Sequence, residues 1–189
     1  EYLHKHKKST INQRELGTDT TSFHDAIKHV FRQDPNIVLI GELRDLDTIK
    51  GALTLAETGH LIFGTLHTID AVHAINRIID VFPAYQQQQV RIQLSMVLVG
   101  VIVQQLIPRK DRKGRVLAAE VMHVIPAIQN LIRENTLHQI YSLIQMGRKY
   151  DMCTMNQSLA DLYNKNMISW EEAYSRSTNS QELVSLVKR

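Results

Sequence analysis

Two polar side chains follow apolar segments of the sequence and could act together on a phosphate group. Glu42 comes one residue after the run Ile37–Ile40, and His67 directly follows the segment Leu61–Leu66. An apolar strand that ends near a carboxylate is the Walker B pattern, in which the carboxylate contacts magnesium through water or orients the water that attacks a γ-phosphate. The spacing alone equally allows Glu42 to be a solvated loop residue before the next helix.

His67 has an alternative structural interpretation, because a histidine at a strand end is more often a hydrogen-bonded structural residue than a catalyst. The residues near His67 in the sequence favour a functional interpretation instead. Gly59-His60 and the segment from Thr65 to Thr68 bracket the same strand. We therefore expect a histidine, two hydroxyl groups and Glu42 to converge on one pocket, where a neutral imidazole could contact a terminal phosphate.

The chain contains no phosphate-binding sequence of the form G-x-x-x-x-G-K-[ST]. Gly59 and Gly64 have its spacing, but Thr65 stands where the lysine must be. Without a nest of backbone amides and a lysine, these 189 residues alone are not expected to hold a nucleotide tightly. Either the phosphate-binding loop precedes Glu1 in the native protein, or the protein does not hydrolyse nucleotides.

The segments that position Glu42 and His67 alternate between helix and strand. Ser22 and Asp25 stand three apart, as at a helix start, and the apolar spacing that follows predicts a helix up to Asp34-Pro35. The run 37–40 predicts a strand buried on both faces of a parallel sheet, residues 48–58 a helix, and residues 61–66 a second buried strand. A strand, a helix and a strand in succession place the two strands parallel and adjacent, which indicates the α/β class.

The remainder of the chain is predicted to change from α/β to all-helical. We expect Asp70 to cap a helix that ends at Pro83, a second helix over residues 85–99 whose apolar face extends to Val101, and a hairpin of strands 104–107 and 116–124. From Pro126 onward the spacing predicts helices over 127–134, 136–146, 155–164, 170–175 and 181–188. The sequence therefore predicts two domains, residues 1–124 and 125–189.

The amino-acid composition excludes several classes of protein and of binding site. The chain is 43% hydrophobic and 22% charged, as in globular proteins, and its longest apolar runs are far shorter than the roughly 18 to 20 residues that span a bilayer. The formal charge of +3 and the scattered basic residues do not predict a nucleic-acid partner. Cys153 is the only cysteine, which excludes an intrachain disulfide and a four-cysteine zinc site.

Two segments resemble the motifs of the secretion ATPases. Residues 34–45, DPNIVLIGELRD, resemble the atypical Walker B box of that family, and residues 57–68, ETGHLIFGTLHT, resemble its His box. Glu1-Tyr2 resembles the end of its Asp box, which would place the phosphate-binding loop just upstream of this chain. The resemblance implies a partial RecA-like P-loop ATPase core, without the Walker A strand and loop, followed by a helical appendage.

Further features resemble one branch of that family, the pilus-retraction ATPases. Cys153 alone cannot supply the four-cysteine insert that is general in pilus-assembly and type II secretion ATPases. Residues 127–135, AIQNLIREN, resemble the retraction motif AIRNLIRE, with Gln129 in place of an arginine. The matching positions are Ala127, Ile128, Asn130, Leu131, Ile132, Arg133 and Glu134.

The helical spacing of these positions also allows a purely structural role for some of them. Ala127, Ile128, Leu131 and Ile132 are expected to pack in the core. Arg133 and Glu134 are expected at a polar edge of the same helix.

The resemblance implies a motor that powers type IV pilus retraction and twitching motility. Such a motor is a homo-hexamer that hydrolyses ATP with Mg²⁺, associates peripherally with the bacterial inner membrane on its cytoplasmic face, contacts the pilus platform protein and binds no nucleic acid. A paralogous retraction ATPase and a catalytically silent ring or docking fragment remain alternatives.

The resemblance also implies roles for individual residues. Glu42 is the general base or water-positioning carboxylate and could contact Mg²⁺ through water, and no side chain is expected to bind the metal directly. Arg44 and Asp45 brace the loop that carries Glu42. The resemblance also places four residues beside the phosphates of the nucleotide: His67, as a catalytic residue, and Gly41, His60 and Thr65.

Overall fold

The computed structural model describes residues 2–187, which divide into two compact units. Within the described residues, the first unit comprises residues 2–67 with Val81–Pro83, and the second comprises Thr68–Asp80 with residues 84–187. The predicted boundary between residues 124 and 125 falls inside the second unit, between a strand and a helix, and stays a prediction.

The first unit contains the predicted pair of parallel strands. Its elements are α1 (Phe23–Val30), β1 (Ile37–Ile40), α2 (Leu46–Glu57) and β2 (Leu61–Gly64). The two strands pair in parallel from Ile37 opposite Leu61 to Ile40 opposite Gly64, with α2 as the connection between them. Ser22 caps α1 as predicted, because its side chain accepts a hydrogen bond from the Asp25 backbone N–H.

These strands are buried on one face only, so the prediction of burial on both faces is wrong for the described residues. Val38, Ile40 and Ile62 pack against apolar side chains of α1 and α2. On the opposite face Leu39 and Phe63 are 63% and 53% exposed. Both helices lie against the same face, and no element among residues 2–187 covers the other one.

The second unit is a hairpin surrounded by helices. Its elements are α3 (Ala71–Asp80), α4 (Ala84–Val97), β3 (Gly100–Pro108), β4 (Arg115–His123), α5 (Pro126–Arg133), α6 (Ile140–Met146), α7 (Met155–Asn164), α8 (Trp170–Arg176) and α9 (Ser180–Leu186), with single 3₁₀ turns at Leu137–Gln139 and Gly147–Tyr150. Strands β3 and β4 pair antiparallel, which confirms the predicted hairpin. None of the helices in the described range is long and apolar enough to cross a membrane.

Several predicted element bounds in this unit need correction. The helix predicted to end at Pro83 ends at Asp80, and the strand predicted from residue 104 begins at Gly100. The helix predicted up to Val99 ends at Val97, and Val101 lies in β3 because the strand begins at Gly100. The helix predicted over 136–146 divides into a 3₁₀ turn and α6. The last helix ends at Leu186, and Lys188 lies outside the described residues.

One core cluster of the second unit lies between the hairpin and the last three helices. Val103 and Ile107 of β3 and Ala118 of β4 pack with Leu159 of α7 and Leu183 of α9, and all five are buried. Because side chains alternate along a strand, the other face of β3 carries Ile102 and Leu106, which are exposed.

Candidate functional site

Glu42 lies at the centre of a polar cluster beyond the carboxyl ends of β1 and β2. Its Oε1 atom is 2.5 Å from Arg44 Nε and 3.4 Å from His67 Nε2. The Glu42 side chain is 21% exposed, whereas those of Arg44 and His67 are 73% and 80% exposed. The carboxylate is therefore held between two nitrogen groups that themselves face solvent.

Strand geometry explains why Glu42 and His67 meet. The carboxyl ends of parallel neighbours lie at the same edge of a sheet, where ligands bind in open α/β folds. The Leu43 backbone N–H donates to the Thr65 carbonyl at 3.0 Å, and the Thr65 hydroxyl donates to the Gly41 carbonyl. These bonds continue the pairing beyond the strands and hold the two loops together.

Gly64 allows this close approach of the loops. A Cβ atom at Gly64 would lie 2.5 Å from Leu43 Cδ1, closer than carbon atoms can pack. Any larger residue would force the Leu43 side chain to move, because its branched end occupies this space. The glycine of the G-T-L-H segment thus leaves room for the Leu43 side chain beside β2.

Asp45 acts on the helix that follows the loop rather than on Glu42. Its carboxylate accepts from the Thr48 backbone N–H at 2.9 Å and from the Thr48 hydroxyl at 2.8 Å, which caps α2. The Thr48 backbone N–H lowers the pKa of Asp45 below its ordinary value. Arg44 contacts the Glu42 carboxylate directly. Asp45 instead caps α2, the helix that begins where the loop ends.

His60 lies at the opposite end of β2 from the Glu42 cluster, and its assignment to the phosphate side stays a prediction. It precedes β2, whereas His67 follows it, and a four-residue strand separates its two ends by about 13 Å. His60 Nδ1 is 3.1 Å from the Leu55 carbonyl and 3.0 Å from the Thr58 hydroxyl. These partners join the end of α2 to the start of β2.

The segment that resembles the retraction motif forms α5, which is amphipathic. Ile128 and Ile132 are fully buried, as predicted, and Leu131 is partly buried. Ala127 is exposed, so its predicted core position is wrong: the inward face repeats every three to four residues and passes through Ile128 and Ile132. Ala127 and Leu131 instead line a shallow groove together with residues of α6 and the preceding turn.

Arg133 and Glu134 lie at the polar end of α5. The Arg133 guanidinium donates to the Asn130 side chain within the same helix, and the Arg133 carbonyl accepts from the Gln88 side chain of α4 at 3.4 Å. Glu134 is exposed, and Asn135 follows it in the left-handed conformation with φ of 56°. The predicted polar edge is therefore present.

Glu120 is a buried acidic residue that the sequence analysis misses. It lies in β4 with 2% exposure and accepts backbone N–H groups from Ala71 at 2.8 Å and Met155 at 3.4 Å. Burial raises the pKa of Glu120, and the two N–H donors act against that rise. The sequence does contain one indication of this buried carboxylate, because a glutamate interrupts the apolar strand segment Val116–Val124.

Direct protein coordination of a metal ion is not supported by the side chains present. Across residues 2–187, no three histidine, cysteine, aspartate or glutamate side chains form a group that could hold a metal ion. A carboxylate such as Glu42 remains able to contact a nucleotide-bound ion through water.

The sequence and the fold have close counterparts among known proteins. The chain is 50% identical over 173 residues to the type IV pilus retraction ATPase PilT of Pseudomonas aeruginosa, covering 92% of this chain and 50% of that protein. It is 38% identical over 188 residues to the type IV pilus ATPase PilU of the same organism, covering 100% of this chain and 49% of the relative.

A solved structure of the pilus retraction motor PilT with bound ADP matches with a TM-score of 0.89 and 52% identity, covering 97% of this chain and 52% of that one. The match confirms the predicted fold, a partial RecA-like core with carboxyl-terminal helices. The chain spans about half the length of the curated relatives it matches.

A family model extends these matches to nearly the whole chain. The model described as type II/IV secretion system protein matches residues 3–185. This range includes the Glu42 cluster, the hairpin and α5. The chain belongs to the type II/IV secretion system protein family.

Proposed function

We propose that the native protein containing this chain is an ATP-hydrolysing motor that powers type IV pilus retraction and twitching motility. The geometry of the Glu42 cluster carries the proposal, because it sets a constrained carboxylate and a solvent-facing imidazole side by side at the ligand-binding edge of the sheet. The 50% identity to PilT over most of the chain supports the same function.

In this proposal Glu42 orients the water that attacks the γ-phosphate of ATP and receives its proton. Arg44 and His67 approach the same oxygen and so fix the direction of the carboxylate before a nucleotide arrives. A pre-oriented carboxylate acts without reorganising during the reaction. His67 is exposed enough to contact the terminal phosphate, while His60 supports the strand from its other end.

Mg²⁺ is the metal that this chemistry requires, and it would neutralise charge on the β- and γ-phosphates. The nucleotide itself would supply most of its ligands. From this chain, Glu42 is the residue that would contact the ion through water. The structure of PilT with bound ADP supports nucleotide binding in this family.

We also propose the assembly in which such a motor works. The protein forms a homo-hexamer on the cytoplasmic face of the inner membrane, associates with that membrane peripherally and contacts the pilus platform protein. Residues 1–124 belong to the ATPase core and residues 125–189 to the helical domain that couples hydrolysis to retraction. The exposed end of α5 with Arg133 and Glu134 is the part of this domain that we assign to coupling.

The alternatives make different predictions. A PilU-like paralogue is less favoured, because the identity to PilU is 38% against 50% for PilT. A catalytically silent ring or docking fragment would need no phosphate-binding loop. Sequencing the coding region before Glu1 separates the last alternative from the motor: a G-x-x-x-x-G-K-[ST] sequence within a few dozen codons is expected, and its absence would contradict the proposal.

The 189-residue chain alone is expected to bind ATP weakly or not at all. It has the water-orienting carboxylate but neither the amide nest nor the lysine that hold the β- and γ-phosphates. Isothermal titration of the chain with ATP and Mg²⁺ measures this. The native protein, titrated in parallel, is expected to bind, and a submicromolar Kd for the isolated chain would refute the prediction.

A further inference from the structure

The buried carboxylate of Glu120 joins two helices that are far apart in the sequence. Its Oε1 atom accepts from the Ala71 N–H, the first residue of α3, and its Oε2 atom accepts from the Met155 N–H, the first residue of α7. The ion pairs of the described residues do not include Glu120. Backbone amides at two helix starts are thus its hydrogen-bond donors.

A carboxylate is costly at this position unless these amides compensate it. Transfer of an ionised carboxylate from water to a protein interior costs several kcal/mol, and an apolar residue would suit the strand better. Helix N-termini carry partial positive charge, so two of them facing one carboxylate reduce the cost. The arrangement makes the start of α3 and the start of α7 depend on the same side chain.

The start of α3 lies close to the candidate site along the chain. Ala71 is four residues after His67, and only Thr68, Ile69 and Asp70 separate them. Asp70 caps the helix by accepting from the His73 N–H at 2.7 Å, and Glu120 accepts from the Ala71 N–H at 2.8 Å. Two carboxylates therefore fix the point from which the His67 segment extends.

We propose that Glu120 is a positioning residue that couples the His67 segment to the carboxyl-terminal helices. Through the Ala71 N–H it anchors the segment that carries His67, and through the Met155 N–H it ties that anchor to α7. The first N–H groups of α3 and α7 then share one acceptor side chain, so loosening of one helix start loosens the other and, through the three residues before Ala71, the chain that leads to His67. The inference rests on the proposed function of His67.

Hydrogen exchange of the native protein tests the link itself, with Glu120→Gln as the variant. Glutamine has the same shape but only one acceptor oxygen, so it cannot accept both N–H groups. Exchange is expected to accelerate at the start of α3 and of α7 together. Thr154→Ala is the matched control, because the Thr154 hydroxyl caps α7 and its side chain also bonds Tyr141 of α6, but it has no bond to α3, so its loss should not accelerate exchange at the start of α3.

A second variant removes one hydrogen bond without touching the carboxylate. Ala71→Pro eliminates the N–H that Glu120 accepts, at the first helical position where proline is tolerated. It is expected to accelerate exchange at the start of α7 as well as in the His67 segment, since both share Glu120. Faster exchange confined to α3 in this variant, or to α7 in Glu120→Gln, would overturn the coupling.

Turnover of the native protein tests the functional consequence. We expect Glu120→Gln to lower kcat for ATP about tenfold with little change in KM, and Thr154→Ala to leave kcat unchanged. In the His67→Ala background Glu120→Gln should lower kcat no further, because residues that act as one unit are non-additive. If the two substitutions lower kcat by the product of their separate effects, the inference about Glu120 is overturned but the proposed role of His67 is not. Wild-type turnover of His67→Ala would refute the proposed role of His67.

Discussion

Replacing Glu42 with glutamine is expected to lower ATP hydrolysis by the native protein about a hundredfold or more, with nucleotide affinity largely unchanged. The amide keeps the size of the side chain and its contact with Arg44 but cannot take a proton from the attacking water. The phosphates are bound by other groups, so binding survives. Steady-state phosphate release gives kcat, and titration calorimetry gives the Kd for ATP.

A matched control for this variant is Asp47→Asn, which removes an exposed carboxylate from the first turn of α2. It alters the charge near the loop by the same amount as Glu42→Gln but leaves the cluster intact. The control is expected to hydrolyse ATP at the wild-type rate. Wild-type turnover in Glu42→Gln would instead assign Glu42 the role of a solvated loop residue.

The combined substitution Arg133→Ala and Glu134→Ala is expected to abolish pilus retraction while folding and ring assembly are preserved. Partly exposed charges of this kind rarely add more than about 1 kcal/mol to stability. The hydrogen bond of the Arg133 side chain to Asn130 lies within α5, and the Arg133 carbonyl that meets α4 is unchanged by the substitution. A complete loss of retraction would then have to come from lost coupling.

Thermal unfolding, gel filtration and a twitching assay together decide this prediction. Glu172→Ala with Arg176→Ala is the matched control, because it removes one acid and one base that pair at 2.9 Å on α8. The control should retract normally. A far lower melting temperature for the Arg133 and Glu134 variant would make these residues structural, and normal retraction would remove them from the mechanism.

Local chemistry explains why much of the fold could be predicted from the sequence. The cap of α1 by Ser22 and the cap of α2 by Asp45 depend on side chains within three residues of the N–H groups that they accept. The parallel pairing of β1 and β2 follows from one short crossover, and this pairing brings Glu42 to His67. The caps need only neighbouring residues, and the strand pairing needs only one short stretch of the chain.

The features that were not predicted depend on what packs against a segment. The exposed face with Leu39 and Phe63 has the same apolar sequence as a buried one, so its exposure is decided by which elements are present to cover it. Glu120 required knowledge of two helix starts that meet at β4.

The most direct test of the motor proposal is pilus retraction in a strain that lacks the native gene and carries a replacement copy. The proposal predicts that the deletion strain does not twitch, that the wild-type copy restores twitching, and that Glu42→Gln at equal cellular level, still assembled into rings, does not. Restoration of twitching by the Glu42→Gln protein, or continued twitching without the gene, would contradict the proposal.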